Sequence, residues 1–264
     1  MAKKIKQLLI IILFSNINNL AGQELQYSNV EFDDEFNKNI DSNNWYLSGN
    51  IKPQIVKLND LNSYAVELCI NKGKSYRNEL SMRSAAFKAQ YNIAYKYEFR
   101  TYLPSDYRND QNQEIIIQWH AKPDKDINED YRSPPLSIST INNNYYLEKR
   151  WDNKKVTFDR NHKKRYSGYE RVKLDKIIPG KWENWEVYIN WSYSIASGFT
   201  IIKKNGKYLY NNYGPNTYND TDAPYQKLGL YKWLWKEGNM NYKYNNISRR
   251  CIRIDSISIT SAGY

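Results

Sequence analysis

The chain has 264 residues, enough for one large domain or two small ones. Its formal net charge is +11, and the sequence has no glycine-rich phosphate loop, no long block of Lys and Arg and no zinc-finger spacing. These absences disfavour nucleic acid as a partner. The positive charge instead suits an acidic polysaccharide or a cell surface, with solubility as the alternative explanation.

The first 22 residues have the pattern of a secretory signal peptide. Three lysines among the first six residues precede an apolar run at residues 8–14, and Ala21 and Gly22 supply small residues at a cleavage point. The apolar run is too short to cross a bilayer, and no other run approaches that length. We therefore expect a secreted or periplasmic protein without a membrane span. Removal of the three lysines lowers the formal charge from +11 to +8.

The composition of the remaining residues favours an all-β fold. Tyr (25) and Trp (8) are abundant and Gly (11) is sparse, and β-branched and aromatic residues recur in short runs broken by Asn, Asp, Gly and Pro. The sequence contains no long amphipathic helix, internal repeat or proline-rich linker. We predict a single domain over residues 23–264, a two-sheet antiparallel sandwich or jelly roll that we expect to be a monomer.

The predicted strands follow one another at short intervals. Residues 142–144, three consecutive asparagines, and Asn205-Gly206 predict two tight hairpins. The predicted strands are residues 64–70, 77–83, 91–103, 114–120, 134–139, 145–150, 182–191, 199–204, 208–210, 225–233 and 251–260. Residues 121–133 and 153–170 are charged segments, either solvated loops or walls that steer an anionic chain into a groove.

Cys69 and Cys251 are the only cysteines, and both lie in strand-like runs. In an exported protein two cysteines can pair, and the first and last strands of a sandwich are often neighbours. Two small, buried, unpaired residues are the alternative.

Three of the predicted strands combine an apolar face with a polar face. Strict alternation gives the polar faces as Arg77, Glu79, Ser81 and Arg83, then Glu114, Ile116, Gln118 and His120, then Tyr225, Lys227, Gly229, Tyr231 and Trp233. If the three strands are adjacent in one sheet, they form a cationic groove lined by proton-transfer groups and an amide donor.

This set of side chains suits β-elimination in a uronic-acid polysaccharide. The C5 proton lies beside a carboxylate, so an enzyme must neutralise that carboxylate before it removes the proton. Gln118 and Arg77 suit the neutralising role, and His120 and Tyr231 suit the base and the acid. Glu79, Arg83, Lys227, Tyr225 and Trp233 are candidate substrate-binding residues. The chemistry requires no metal or organic cofactor.

The same segments resemble a known family. R-N-E-L-S, Q-W-H and Y-Q-K-L-G-L-Y-K are similar to the signature of jelly-roll polysaccharide lyases, most closely heparin lyase I and more distantly alginate lyases. The resemblance implies a concanavalin-like β-jelly roll and an endo-acting eliminase. It assigns base or acid roles to His120 and Tyr231, and the carboxylate-binding role to Gln118. Ser81 and Gln226 depart from the pattern, where the relatives have Arg and an aromatic residue.

Two other functions remain open at this stage. A non-catalytic carbohydrate-binding module would need aromatic platforms without a poised base, and a glycoside hydrolase would need two facing carboxylates. Residues 216–222 (N-T-Y-N-D-T-D) also space oxygen ligands suitably for calcium, with a polar turn as the alternative.

Overall fold

Two antiparallel β-sheets stack face to face in the computed structural model. It describes residues 25–37, 39–58, 63–157, 166–237, 239 and 246–263. The predicted signal peptide lies outside these residues. No helix within the described ranges is long and apolar enough to cross a membrane. The predicted all-β sandwich is confirmed.

Fifteen strands and two single-turn 3-10 helices lie within the described residues. The strands are β1 (Tyr27–Asp34), β2 (Trp45–Gly49), β3 (Gln54–Leu58), β4 (Ser63–Asn71), β5 (Arg77–Met82), β6 (Ala94–Tyr102), β7 (Glu114–His120), β8 (Leu136–Ile141), β9 (Asn144–Trp151), β10 (Gly168–Lys176), β11 (Trp182–Asn190), β12 (Phe199–Lys204), β13 (Lys207–Tyr213), β14 (Tyr225–Tyr231) and β15 (Arg249–Ala262). The short helices are Lys125–Ile127 and Trp233–Trp235.

One sheet contains the three strands of the predicted groove and is here called the groove sheet. It has seven strands in the order β10-β9-β8-β7-β14-β5-β2. The outer sheet has the order β13-β12-β11-β6-β15-β4-β3, with β1 paired to β15. Apolar residues that alternate along each strand fill the space between the sheets, and Trp119, Trp185 and Trp191 are among the largest fully buried side chains. The three strands that were predicted to share polar faces, β5, β14 and β7, are indeed neighbours.

A β-bulge changes the predicted faces of β7. The register shifts between Ile115 and Ile117 because Ile116 is the extra residue opposite β8. Glu114 therefore points into the interior, where its carboxylate lies 3.4 Å from Lys232 Nζ and 3.5 Å from Arg250 Nε. The placement of Glu114 and Ile116 on the groove face is wrong, while Gln118 stays on that face beyond the bulge.

Four strands lack a counterpart in the sequence prediction. β1, β2 and β3 are short or largely exposed strands, so their apolar alternation is weak. The first three residues of β10 were included in the basic loop at residues 153–170 and the rest was left unassigned, although its sequence G-Y-E-R-V-K-L-D-K alternates. Both predicted hairpins are confirmed, with positive φ at Asn142 and Asn143 and at Asn205 and Gly206.

Cys69 and Cys251 form a disulfide, which settles the alternative left open by the sequence. They are direct cross-strand partners in β4 and β15. The bridge joins positions 182 residues apart in the chain.

Candidate active site

The registers of β5, β14 and β7 determine which side chains meet on the floor of the groove. Lys227 of β14 pairs with Gln118 on one side and with Ser81 on the other. Tyr225, two residues earlier in β14, pairs with His120. Direct cross-strand partners point to the same face, so these side chains form two adjacent rows on the groove sheet.

Glu79 is the centre of a buried charge cluster, here called the Glu79 cluster. Its carboxylate lies 3.1 Å from Arg77 Nε and 3.0 Å from Lys227 Nζ, and it accepts a hydrogen bond from the Gln118 side-chain amide. Glu79 and Gln118 are each 1% exposed. Two cations and one carboxylate leave the cluster with one net positive charge, which suits one anionic group of a ligand.

Burial affects the ammonium of this cluster. It lowers the pKa of the Lys227 ammonium, and the nearby Arg77 adds to the shift while Glu79 opposes it. One N–H of the Gln118 amide is engaged by Glu79, and the amide has a second N–H that Glu79 does not use. Arg77 pairs with Glu79 through Nε, and its side chain is 33% exposed, so part of the guanidinium is open to a ligand.

His120 ends β7 with the geometry of a neutral base. Its Nδ1 lies 2.8 Å from the carbonyl oxygen of Ala121. A carbonyl oxygen only accepts hydrogen bonds, so Nδ1 carries the proton and Nε2 keeps a free lone pair. Burial lowers the pKa of His120 to about 4, and the cations Lys227 and Arg77 contribute.

Tyr225, rather than Tyr231, is the phenol beside His120. The ring centroids of His120 and Tyr225 are 5.8 Å apart. Tyr231 lies six residues further along β14, a rise of roughly 20 Å, where it pairs with Arg77 and Ile115. The guanidinium carbon of Arg77 lies 3.9 Å from the centroid of the Tyr231 ring. His120 and Tyr231 are therefore not cross-strand partners, and a role of Tyr231 in the reaction stays a prediction.

Arg83 and Trp233 lie at opposite ends of this region. Arg83 follows β5 and is exposed, with its guanidinium 5.7 Å from the centroid of the Tyr46 ring. Trp233 begins the short helix after β14, and its ring centroid is 5.9 Å from that of Tyr231. Arg83 is thus at the Tyr225 end of the groove and Trp233 at the far end.

A second polar cluster on the same sheet was missed from the sequence. Glu148 of β9 is paired with Ser137 of β8 and with Arg171 of β10. Ser137 is in turn paired with Gln118, so a single row connects Lys227 to Arg171. The alternation of residues 145–150 and 168–176 was the signal that could have found it, because charged side chains occupy alternate positions 148 and 150 in β9 and 171, 173 and 175 in β10.

The candidate calcium ligands at residues 216–222 are engaged by other partners. Asp220 pairs with Arg132 at 2.6 Å, and Asp222 pairs with Lys88 at 2.6 Å and Lys122 at 2.8 Å. Calcium binding there stays a prediction that this geometry does not favour. Within the described residues, the one group of His, Cys, Asp and Glu side chains with metal-ligand spacing is Glu67 with the disulfide-bonded pair Cys69 and Cys251.

Comparison with known protein families shows the family to which the chain belongs. Residues 33–258 match the family model described as "Polysaccharide lyase". The chain belongs to the polysaccharide lyase family. It is therefore a carbon–oxygen lyase that acts on polysaccharides. No curated protein sequence matches it.

Solved structures similar to this polysaccharide lyase share its sandwich. An endo-β-1,4-glucuronan lyase from the fungus Trichoderma reesei has a TM-score of 0.67 and 18% identity over 87% of this chain and 94% of that one. Alginate lyase A1-II′ has a TM-score of 0.53 and 11% identity over 80% and 84%. Alginate lyase AlyC3 has a TM-score of 0.52 and 15% identity over 75% of each chain. At these identities the likeness shows the jelly-roll fold alone.

Proposed function

We propose that this polysaccharide lyase cleaves a uronic-acid-containing polysaccharide by β-elimination, with His120 as the base and Tyr225 as the acid. The observation that carries the proposal is the pairing of a neutral imidazole with a phenol, one row away from the Glu79 cluster. Base, acid and a net positive charge are the three components that this elimination needs.

The Glu79 cluster supplies the electrostatic part of the reaction. Loss of the C5 proton places negative charge next to the sugar carboxylate, which is unfavourable unless positive charge lies close by. Arg77 and Lys227 provide two cations, of which Glu79 balances one. The remaining positive charge and the second N–H of Gln118 would stabilise the carboxylate and the enolate-like intermediate.

The proton transfers then follow from the protonation states of the two side chains. Nε2 of His120 takes the C5 proton, the electron pair of that bond forms the C4–C5 double bond, and the C4–O bond breaks. The Tyr225 phenol gives its proton to the leaving oxygen. Burial raises the pKa of Tyr225, with a further contribution from Glu79, so the phenol keeps its proton at neutral pH.

The substrate class follows from this charge requirement and from the relatives. The similar structures are, by their names, lyases of glucuronan and alginate, and the sequence motifs resemble those of heparin lyase I. We propose a heparin- or heparan-sulfate-like polymer, glucuronan or alginate as the substrate. Export through the predicted signal peptide is part of the same proposal, because such polymers lie outside the cell.

An ultraviolet assay tests the proposal. Incubation with a panel of uronic-acid polymers should raise the absorbance of the conjugated C4–C5 double bond for at least one of them. His120→Ala and Tyr225→Phe should each lower the rate by about 10²–10⁴-fold, the contribution typical of general acid–base groups. Tyr208→Phe is the matched control, the same chemical change on an exposed side chain of the outer sheet, and should retain nearly the wild-type rate.

Three outcomes would contradict the proposal. New reducing ends without absorbance would indicate hydrolysis, and binding without products would indicate a lectin. A nearly wild-type rate for Tyr225→Phe would remove Tyr225 from the mechanism.

A further inference from the structure

The groove sheet contains a second cluster built like the first. Oε2 of Glu148 accepts a hydrogen bond from Arg150 at 2.7 Å. Oε1 accepts one from the Tyr169 hydroxyl at 3.1 Å and lies 3.7 Å from Arg171 Nε. These four residues are here called the Glu148 cluster. Like the Glu79 cluster, it combines one buried carboxylate, two cations and one neutral hydrogen-bond donor, and it carries one net positive charge.

The register places the two clusters on one face of one sheet. Gln118 pairs with Ser137, Ser137 with Glu148 and Glu148 with Arg171. Two strand spacings separate Gln118 from Glu148, a distance of about 10 Å. A polymer that crosses the strands of the groove can therefore contact both clusters at once.

Two side chains of the Glu148 cluster are buried, and the other two, Arg171 and Tyr169, are partly exposed. The side chains of Glu148 and Arg150 are each 8% exposed, and the side chain of Arg171 is 34% exposed. The guanidinium carbons of Arg150 and Arg171 each lie 4.9 Å from a tyrosine ring centroid, that of Tyr169 and that of Tyr146 respectively. Arg171 also donates a hydrogen bond of 3.4 Å to Gln113. Its orientation is thus fixed while part of its guanidinium remains available to solvent.

Charge balance indicates what this cluster binds. Burial opposes ionisation of Glu148, but Arg150, Gln113 and Arg171 together outweigh it and lower the pKa of this carboxyl. Glu148 is therefore ionised and cancels one guanidinium charge. The second guanidinium charge has no carboxylate of its own in the cluster, which suits an oxyanion.

We propose that the Glu148 cluster is a second anion subsite of the groove, which binds the carboxylate or sulfate of a sugar unit away from the cleaved linkage. This inference rests on the proposed function. Arg171 and Tyr169 make the contacts, and Glu148 and Arg150 position them. The consequence is a preference for polymers with an acidic group on more than one unit.

Arg171→Ala tests the subsite, with Lys203→Ala on the outer sheet as a control that removes the same charge. On a polymer that the enzyme cleaves, Arg171→Ala should raise KM by about 5–10-fold and leave kcat nearly unchanged. Lys203→Ala should change neither KM nor kcat. Arg171→Lys, which keeps the charge but loses the forked donors, should give an intermediate KM. Equal KM values for Arg171→Ala and Lys203→Ala would overturn the proposal, as would a loss confined to kcat.

A binding measurement separates this proposal from the proposed function. Affinity electrophoresis of the wild type and the three variants in gels that contain a uronic-acid polymer needs no turnover. If the wild type binds but does not cleave, β-elimination fails while a weaker retardation of Arg171→Ala still supports the subsite. Unchanged retardation of Arg171→Ala, or no binding by the wild type, overturns the subsite. Unsulfated and sulfated polymers distinguish the source of the anion: an effect on both indicates the carboxylate, and an effect on sulfated polymer alone indicates the sulfate.

Discussion

His120 is the residue whose environment most affects the proposed chemistry. It lies at the end of a strand, where burial disfavours the imidazolium and lowers the pKa to about 4. The Ala121 carbonyl oxygen selects the tautomer with a free Nε2. The side chain is therefore a base over the whole range in which a solvated histidine would still be partly protonated.

The pH dependence of catalysis follows from the lowered pKa of His120. Because His120 must be neutral to accept the C5 proton, kcat/KM should hold its plateau down to about pH 5 and fall as the pH approaches about 4. An unperturbed histidine would give this acidic limb near its ordinary pKa of about 6.5. Initial rates from pH 3.5 to 8 would locate the limb. A limb near pH 6.5 would contradict the buried, neutral histidine described here.

Circular dichroism at each pH is the control for unfolding. The unfolded chain protonates this histidine as the pH falls through about 6.5, whereas the folded chain does so only near the lowered pKa of about 4. Stability from His120 is therefore present above pH 6.5 and is lost between these two values. The rates are informative only where the spectrum remains that of the folded protein.

The shape of β14 depends on Gly229, which lies between the Tyr225 and Tyr231 ends of the strand. Its φ is +128°, and a Cβ at this position would lie 2.3 Å from the carbonyl oxygen of Asn78 and 2.9 Å from the Cα of Glu79. Only glycine allows β14 to approach β5 this closely. This close approach also keeps Lys227 within reach of Glu79.

Gly229→Ala should therefore destabilise the fold more than an alanine at another positive-φ glycine. Gly206 has a φ of +77° in the β12–β13 hairpin, with nothing within 4 Å of an added Cβ. Gly206→Ala should lower the free energy of unfolding by about 1–2 kcal/mol from backbone strain alone. Gly229→Ala adds the clash with β5 and should cost more, as measured by denaturant unfolding. Equal losses for the two variants would contradict this account.

The bulge in β7 determines which side chains of this strand face the groove. It turns Glu114 into the interior, where Lys232 and Arg250 pair with it, and Asp110 pairs with the same two cations at 2.8 Å and 3.4 Å. Beyond the bulge, Gln118 and His120 face the groove. One extra residue thus separates a structural carboxylate from the reactive side chains of the same strand.

The disulfide between Cys69 and Cys251 affects the stability of the whole molecule. It joins β4 to the last strand of the outer sheet and closes a loop of 182 residues in the chain. A loop of this length restricts the unfolded chain strongly.

Replacement of both cysteines by serine should lower the free energy of unfolding by about 2–5 kcal/mol. Denaturant unfolding under oxidising conditions would measure the loss. Wild-type protein in excess reductant is the matched comparison and should unfold at the same denaturant concentration as the variant. A variant as stable as the oxidised wild type would show that the bridge contributes nothing.

Local pattern alone identified a large part of this protein. Alternation and turn residues predicted the sandwich, most central strands and both hairpins, because each of these depends on residues close together in the chain. The motifs containing Arg77, Gln118 and Lys227 were also recognisable, since each lies within one strand. Weakly alternating edge strands such as β1 and β3 carried too little signal to be found.

The assignment of partners across strands required the tertiary structure. Tyr225 and Tyr231 are chemically identical and both face the groove by alternation, and only the register of β14 against β7 places Tyr225 beside His120. Likewise, Glu148 and Arg171 join the row of Gln118 only because the sheet order brings β9 and β10 next to β8. Hydrogen-bond registers between strands distant in the chain, together with a bulge that changes a face, are set by the packing of the whole sandwich.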